Sequence, residues 1–230
     1  MVSFLKLTVI NDNEPGEGLK NDWGWSVLLE SDRWRILFDA DTQPEVIEHN
    51  EKVMRLELRS IDYGFLSHYH ADHYGGFEYI GRVAENLKVF VPPGPSKILK
   101  KWNLNVIEVR HPGKLMEDVW STGPMGFIGE QALGIKVDSI GLVVIVGCSH
   151  PGVDSLTEKL QNISEEEVYM VIGGFHSPSR RVLDNLAKLT KYIYPAHCTG
   201  ISGKMYVKRK YPEKYREVKT GSIIKIGKEL

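Results

Sequence analysis

One construction recurs along this chain and constrains it most. An apolar run of strand length ends in small or polar residues, and a histidine follows. It occurs at Ile61–Leu66 before Ser67-His68-Tyr69-His70-Ala71-Asp72-His73, and at Val143–Val146 before Gly147-Cys148-Ser149-His150. It occurs again at Met170–Ile172 before Gly173-Gly174-Phe175-His176, and at Tyr192–Tyr194 before Pro195-Ala196-His197. Six of the eight histidines lie in these four places; His49 and His111 do not. Continuous apolar runs belong to strands buried on both faces. Strand ends in layered α/β folds are where ligands bind, and small residues there let the chain turn and a ligand approach.

The first of these places carries the most chemistry. Residues two apart in an extended segment point the same way, so His68 and His70 can share one metal ion. Asp72 and His73 come after the chain turns and can face a second. Imidazole and carboxylate suit zinc, and also iron or manganese. Two ions about 3.5–4 Å apart form a known hydrolytic device. A plain polar loop is the bland alternative, but four potential ligands within residues 68–73 argue against it. Taken singly, each of His150, His176 and His197 reads more readily as a structural residue than as a ligand. Beside the first cluster they become metal-binding or catalytic candidates.

The rest of the chain sets the frame. Its 230 residues suit a single domain spanning 1–230, with no internal repeat and no Pro/Gly/Ser linker. Phe4–Ile10 alternates as a strand. Ser26–Leu29 and Arg35–Phe38 read as a hairpin, and Pro44–Arg55 as a helix that starts at Pro44. Val89–Val91 is a short strand closed by prolines. Asp154–Asn162 and Arg181–Leu189 have helical spacing, and Val218–Ile226 reads as a final strand pair. Strands early and mixed elements late imply an α+β or mixed α/β fold, not a pure parallel sheet. No G-x-G-x-x-G or P-loop follows a strand, which leaves dinucleotide and nucleotide binding without a motif.

Lys+Arg 29 against Asp+Glu 30 gives a net charge of −1, which argues against a protein that coats nucleic acid. Two cysteines, Cys148 and Cys198, exclude a disulfide framework. No apolar stretch approaches the ~20 residues of a membrane span, and the first ten residues read as a strand and not a signal peptide. The expectation is a cytoplasmic protein. Few Gln and many Lys and Glu hint at a thermophile.

The run His68-x-His70-x-Asp72-His73 after a strand resembles the signature of the metallo-β-lactamase superfamily. Ile36-Leu37-Phe38-Asp39, the strand ending at Gly147-Cys148, and Pro195-Ala196-His197 resemble further motifs of that superfamily. More narrowly, four phrases are similar to one archaeal and bacterial branch of metal-dependent hydrolases. They are Glu130-Gln131-Ala132-Leu133, Gly147-Cys148-Ser149-His150-Pro151-Gly152, Gly173-Gly174-Phe175-His176 and His197-Cys198-Thr199-Gly200. The branch includes the dihydropterin-(ribofuranosyl)aminobenzene 5'-phosphate synthase.

The resemblance implies a four-layer αβ/βα sandwich of α+β class with two divalent metal ions, zinc first and iron or manganese as alternatives. One ion would take His68, His70 and His150, and the second Asp72, His73 and His197. A metal-bound hydroxide would be the nucleophile, with Asp72 orienting it and His176 as an acid/base or substrate-positioning group. Asp39 is a candidate to hold a ligand histidine in its tautomer. The sequence departs from the superfamily in places. Cys148 stands where a bridging Asp is usual, as a thiolate ligand or as a small buried thiol. No histidine lies in Ser121–Gly129, where a ligand is usual, and His150 is the natural substitute. Asp22-Trp23-Gly24-Trp25 replaces a Glu-His-Gly-like phrase, and Asp39-Ala40-Asp41 replaces Asp-Thr-Gly.

The expected partner is a small molecule, phosphate-bearing or pterin-like, and not a membrane or a nucleic acid. Lys204, Lys208 and Arg209 could recognise its anionic group, although a solvated basic surface is the simpler reading. Trp23 and Trp25 could wall a planar ligand, against plain packing. The leading function is a hydrolase of a small ester, lactone or phosphate-bearing substrate. The alternative is a transferase like the branch's synthase; a nuclease or a non-enzymatic metal-binding protein stands further off.

Overall fold

The computed structural model describes residues 1–228. In chain order, β1 (Phe4–Asn11), β2 (Ser26–Ser31) and β3 (Arg35–Phe38) precede α1 (Pro44–Met54) and β4 (Tyr63–Phe65). Then come α2 (Ala71–Tyr74), α3 (Phe77–Val83), β5 (Lys88–Val91), α4 (Lys97–Lys101) and β6 (Asn105–Glu108). The second half runs β7 (Gly113–Met116), β8 (Val119–Ser121), β9 (Leu133–Val137), β10 (Gly141–Val146), α5 (Val153–Ser164) and β11 (Val168–Gly174). It ends with α6 (Arg180–Leu189), β12 (Thr190–Ala196), α7 (Gly200–Lys210) and β13 (Ile223–Gly227). This is a mixed α/β architecture with two sheets. Among the described residues, no helix is long and apolar enough to cross a membrane.

The chain divides into two compact units, one of residues Leu5–Arg110 with Lys219–Lys225, the other of Met1–Phe4, His111–Val218 and Ile226 onward. The first is built on a seven-stranded sheet in the order β13-β1-β2-β3-β4-β5-β6. The β1-β2-β3 pairings are antiparallel, and β3 to β6 run parallel. Leu28, Leu37 and Val89 of the sheet share a core with Ile47 of α1 and Phe77 and Ile80 of α3. Pro44 opens α1, where its missing N–H costs nothing.

The second unit is built on a six-stranded sheet, β12-β11-β10-β9-β8-β7. Here β10, β11 and β12 are parallel, so their carboxyl ends lie at one edge. Leu142, Val144 and Val146 pack with Leu156 and Leu160 of α5 and Leu186 of α6. Val143 and Ile145, on the opposite face of β10, are equally buried. That two-sided burial is why the run carries no alternation. Helix α6 keeps Leu183, Leu186 and Ala187 inward, at the spacing a helix requires.

Two segments differ from the sequence expectation. Val218–Ile226 is not a strand pair: the turn at Gly221 (φ 86°) leaves only Ile223–Gly227 extended, and β13 pairs with β1. Residues 105–137, where periodicity gives no element, form β6 to β9. These strands are three to five residues long, too short to establish a period.

Candidate metal centre

In the first unit the histidine run begins where β4 ends. The chain stays extended through His70 (φ −92°, ψ 145°) and then enters α2 at Ala71. His68 and His70 therefore point to one side, and His68 Nε2 lies 3.0 Å from His70 Nδ1. Two nitrogens, each about 2.0–2.1 Å from one tetrahedral or octahedral ion, lie about 2.9–3.4 Å apart. The pair already has that spacing. The helical turn changes the direction of Asp72 and His73, with His73 Nε2 3.6 Å from Asp72 Oδ2, and leaves the His73 ring 4.2 Å from the His68 ring.

Behind this run stands Asp39, fully buried at the end of β3. Its carboxylate accepts from the Ser67 N–H (2.7 Å), the Ser67 hydroxyl (2.7 Å) and His73 Nδ1 (2.7 Å). Ser67 has spent its one proton on Asp39, so the 2.9 Å contact with His68 Nδ1 requires the imidazole to donate. His68 and His73, as neutral rings, thus carry their protons on Nδ1 and their lone pairs on Nε2. Asp39 and Asp41 both have positive φ (50° and 58°), which Asp tolerates better than most residues. Asp41 can occupy a place where Gly is usual for that reason, and Asn11 Nδ2 donates to its Oδ1 at 2.7 Å.

The two tryptophans separate. Trp25 is fully buried beside β2, so it is a core residue and cannot wall a ligand at the surface. Trp23 is 59% exposed, and its Nε1–H donates to Asp72 Oδ2 at 3.1 Å.

In the second unit, Glu130 does for the loop after β10 what Asp39 does for the loop after β4. It is fully buried and accepts from the backbone N–H groups of Cys148 (2.9 Å), Ser149 (2.7 Å) and His150 (2.7 Å). It also takes His150 Nδ1 at 2.8 Å. His150 is thereby fixed with its Nε2 as the lone-pair nitrogen, and its ring lies 4.3 Å from the exposed ring of His176. Sequence reading marked the Glu130 phrase but gave the residue no role. Its partners lie 18 to 20 residues away, and no local pattern announces them.

His197 is buried in a 3-10 turn directly after β12. Cys148 and Cys198 are buried thiols not joined in a disulfide, with Sγ atoms 3.2 Å apart. The basic residues of α7 disperse. Lys208 lies over the Tyr215 ring, and Lys204 is half-buried. Arg209 lines a cavity of about 480 Å³ with Arg180, Lys210, Tyr206 and Met205. Arg180 was not expected from the sequence; it sits over the Tyr206 ring at 5.5 Å.

Comparison with known proteins agrees with this chemistry. The family model of the metallo-beta-lactamase superfamily matches residues 24–155, more than half of the chain. This chain belongs to the metallo-β-lactamase superfamily. It is 27% identical to the 7,8-dihydropterin-6-methyl-4-(beta-D-ribofuranosyl)-aminobenzene-5'-phosphate synthase of Methanocaldococcus jannaschii, over 88% of this chain and 89% of that one. The superfamily fold is equally plain in solved structures. Tm1679, a metal-dependent hydrolase of the beta-lactamase superfamily, superposes with a TM-score of 0.84 at 22% identity, covering 97% of this chain and all of that one. A diphosphatase from the PhnP family superposes with a TM-score of 0.67 at 15% identity, covering 98% of both.

Proposed function

We propose that this superfamily member is a metal-dependent hydrolase of small phosphate-bearing or ester substrates, acting as one domain over residues 1–230 with two divalent ions. The observation that carries the reading is shared by three imidazoles. His68, His73 and His150 each have Nδ1 held by an oxygen, from Ser67, Asp39 and Glu130. Each is thereby set to present Nε2, the arrangement that orients metal-ligand histidines. The donor set of imidazoles with one carboxylate fits zinc, and also iron or manganese. We assign His68, His70 and His150 to one ion, and Asp72, His73 and His197 to the other.

Bound divalent ions lower the pKa of a coordinated water towards about 7 and polarise a phosphoryl or carbonyl oxygen. The chain's own residues would complete the chemistry. Asp72, steadied by Trp23, accepts a proton from the attacking water. His176, exposed beside His150, delivers a proton to the leaving oxygen. Arg180 and Arg209 in the basic cavity offer planar, fork-shaped partners for a phosphate.

A second reading has its own support. The similarity to the M. jannaschii synthase extends over nearly the full length of both chains. A transferase that joins a pterin to a phosphorylated aminobenzene would use the same metal-binding side chains.

Elemental analysis of protein purified without chelator tests the metal assignment. About two ions per chain are expected, and His70→Ala should lose about one. Full metal content in His70→Ala would sink it. Product analysis, with a phosphodiester in one arm and a pterin diphosphate plus an aminobenzene phosphate in the other, separates hydrolase from transferase.

A further inference from the structure

Phe127 stands further out in solvent than any other large apolar side chain among the described residues, at 107% exposure, and Ile128 beside it is 36% exposed. Phenylalanine is ordinarily among the most buried residues. The turn that carries the pair is nonetheless well made. The Met125 N–H donates to the Glu130 carbonyl at 2.8 Å, and the Gly129 N–H to the Gly126 carbonyl at 3.3 Å. Gly126 (φ 68°) and Gly129 (φ 69°) flank the two apolar residues in the left-handed region, which glycine enters without steric cost.

This turn is built onto the loop that carries His150. The Glu130 backbone closes the turn, while its side chain accepts from the N–H groups of Cys148, Ser149 and His150 and from His150 Nδ1. On the other flank Gly126 lies against Pro151, the residue after His150. A Cβ at Gly126 would stand 3.1 Å from Pro151 Cγ. The base of the turn is thus fixed to the His150 loop from both ends. Two apolar side chains are too few for a stable protein interface. A phenylalanine supplies about 150–250 Å², and such an interface takes about 800 Å² from each partner. The pair matches one ring of a small molecule.

We propose that Phe127, with Ile128 at its side, determines substrate specificity. The ring packs on a planar apolar group of a substrate whose phosphate is held at the ion bound by His150, and it selects aryl over small alkyl phosphate esters. An aryl group offers the face and edge that pair with a phenylalanine ring; a methyl group offers neither. The assignment rests on the hydrolase reading above, which supplies the ion that holds the phosphate.

Calorimetric titration of phenyl phosphate and methyl phosphate into zinc-loaded protein tests it. Both probes carry the same anionic group, so the difference between them reads the apolar contact. The wild type should bind phenyl phosphate about tenfold more tightly than methyl phosphate. Phe127→Ala should bring the two within about twofold by weakening phenyl phosphate alone. Phe127→Trp, which keeps a ring, should retain the preference. Because Phe127 is exposed, both variants should melt as the wild type does. A preference that survives in Phe127→Ala would overturn the assignment. So would an equal loss for both probes, which would make the turn a support for the His150 loop only. A wild-type dimer that Phe127→Ala splits, with the preference intact, would give the ring to an interface between copies. If neither probe binds the wild type, the ion centre fails and the role of Phe127 falls with it. Binding of both without preference counts against Phe127 alone.

Discussion

The Asp39 carboxylate holds His73 Nδ1 at 2.7 Å while also receiving both the N–H and the hydroxyl of Ser67. One buried side chain thus fixes the tautomer of His73 directly and that of His68 through Ser67. Asp39→Asn would place an amide N–H₂ against groups that are themselves donors. The imidazole of His73 would then turn or change tautomer. We expect metal affinity to fall about 10–100-fold with the fold retained. Competition against a chelator measures this, and an unchanged affinity would show that His73 does not need Asp39.

Glu130 is the corresponding residue of the second unit, with four N–H donors on two carboxylate oxygens. Gln at this position keeps one accepting oxygen and turns an N–H₂ towards two donors in a buried place. The cost is about 2–4 kcal/mol, from lost charge-assisted bonds and unpaired groups. Urea denaturation of Glu130→Gln should show the midpoint lowered and the slope unchanged. A midpoint equal to that of the wild type would mean that the loop after β10 is held by other contacts.

The legibility of this molecule follows the range of its interactions. Apolar runs ending at His68, His150, His176 and His197 are local signals, and each lies at a strand end in the structure. The period of two that aligns His68 with His70 is local as well. Glu130, by contrast, acts on residues 148–150, and a single sequence holds nothing that ties it to them. Trp23 and Trp25 look alike in sequence, but one lies in a loop and the other at the edge of β2. Burial distinguishes them, and burial is set by tertiary packing. Arg180 and Arg209 reach one cavity from α6 and α7, a meeting that depends on how two helices pack.

Asp184 ties those two helices together. Its Oδ1 accepts from the Tyr206 hydroxyl, Lys210 Nζ and the Tyr211 hydroxyl, each at 2.8 Å. The hydrogen bond from Lys210, followed by that from Tyr211, holds the Asp184 carboxyl at about 2, below its ordinary 3.8. A carboxylate depressed in the folded state stabilises it above the unfolded value and loses that contribution as pH falls through the folded one. The melting-temperature gap between wild type and Asp184→Asn should therefore be constant above pH ~4 and close towards pH ~2. A gap that does not change over that interval would mean the cluster contributes no charge-dependent stability.

Two glycines share positive φ but not surroundings, and their alanine variants separate strain from collision. Gly18 (φ 70°) has nothing within 4 Å of where a Cβ would stand. Its replacement should cost only the left-handed penalty, about 1–2 kcal/mol. Gly173 (φ 135°) pairs with Val146 in the parallel β10–β11 ladder, and its Cβ would lie 2.1 Å from the Val146 carbonyl oxygen. No rotamer relieves a clash with backbone, so either the ladder opens or the strand end shifts. The cost should exceed about 4 kcal/mol, in the range that marks a broken core feature. Because Gly173 leads directly to His176, a shift there also displaces the histidine. Gly173→Ala should thus unfold at much lower urea than Gly18→Ala. Equal midpoints would show that β11 yields at its carboxyl end.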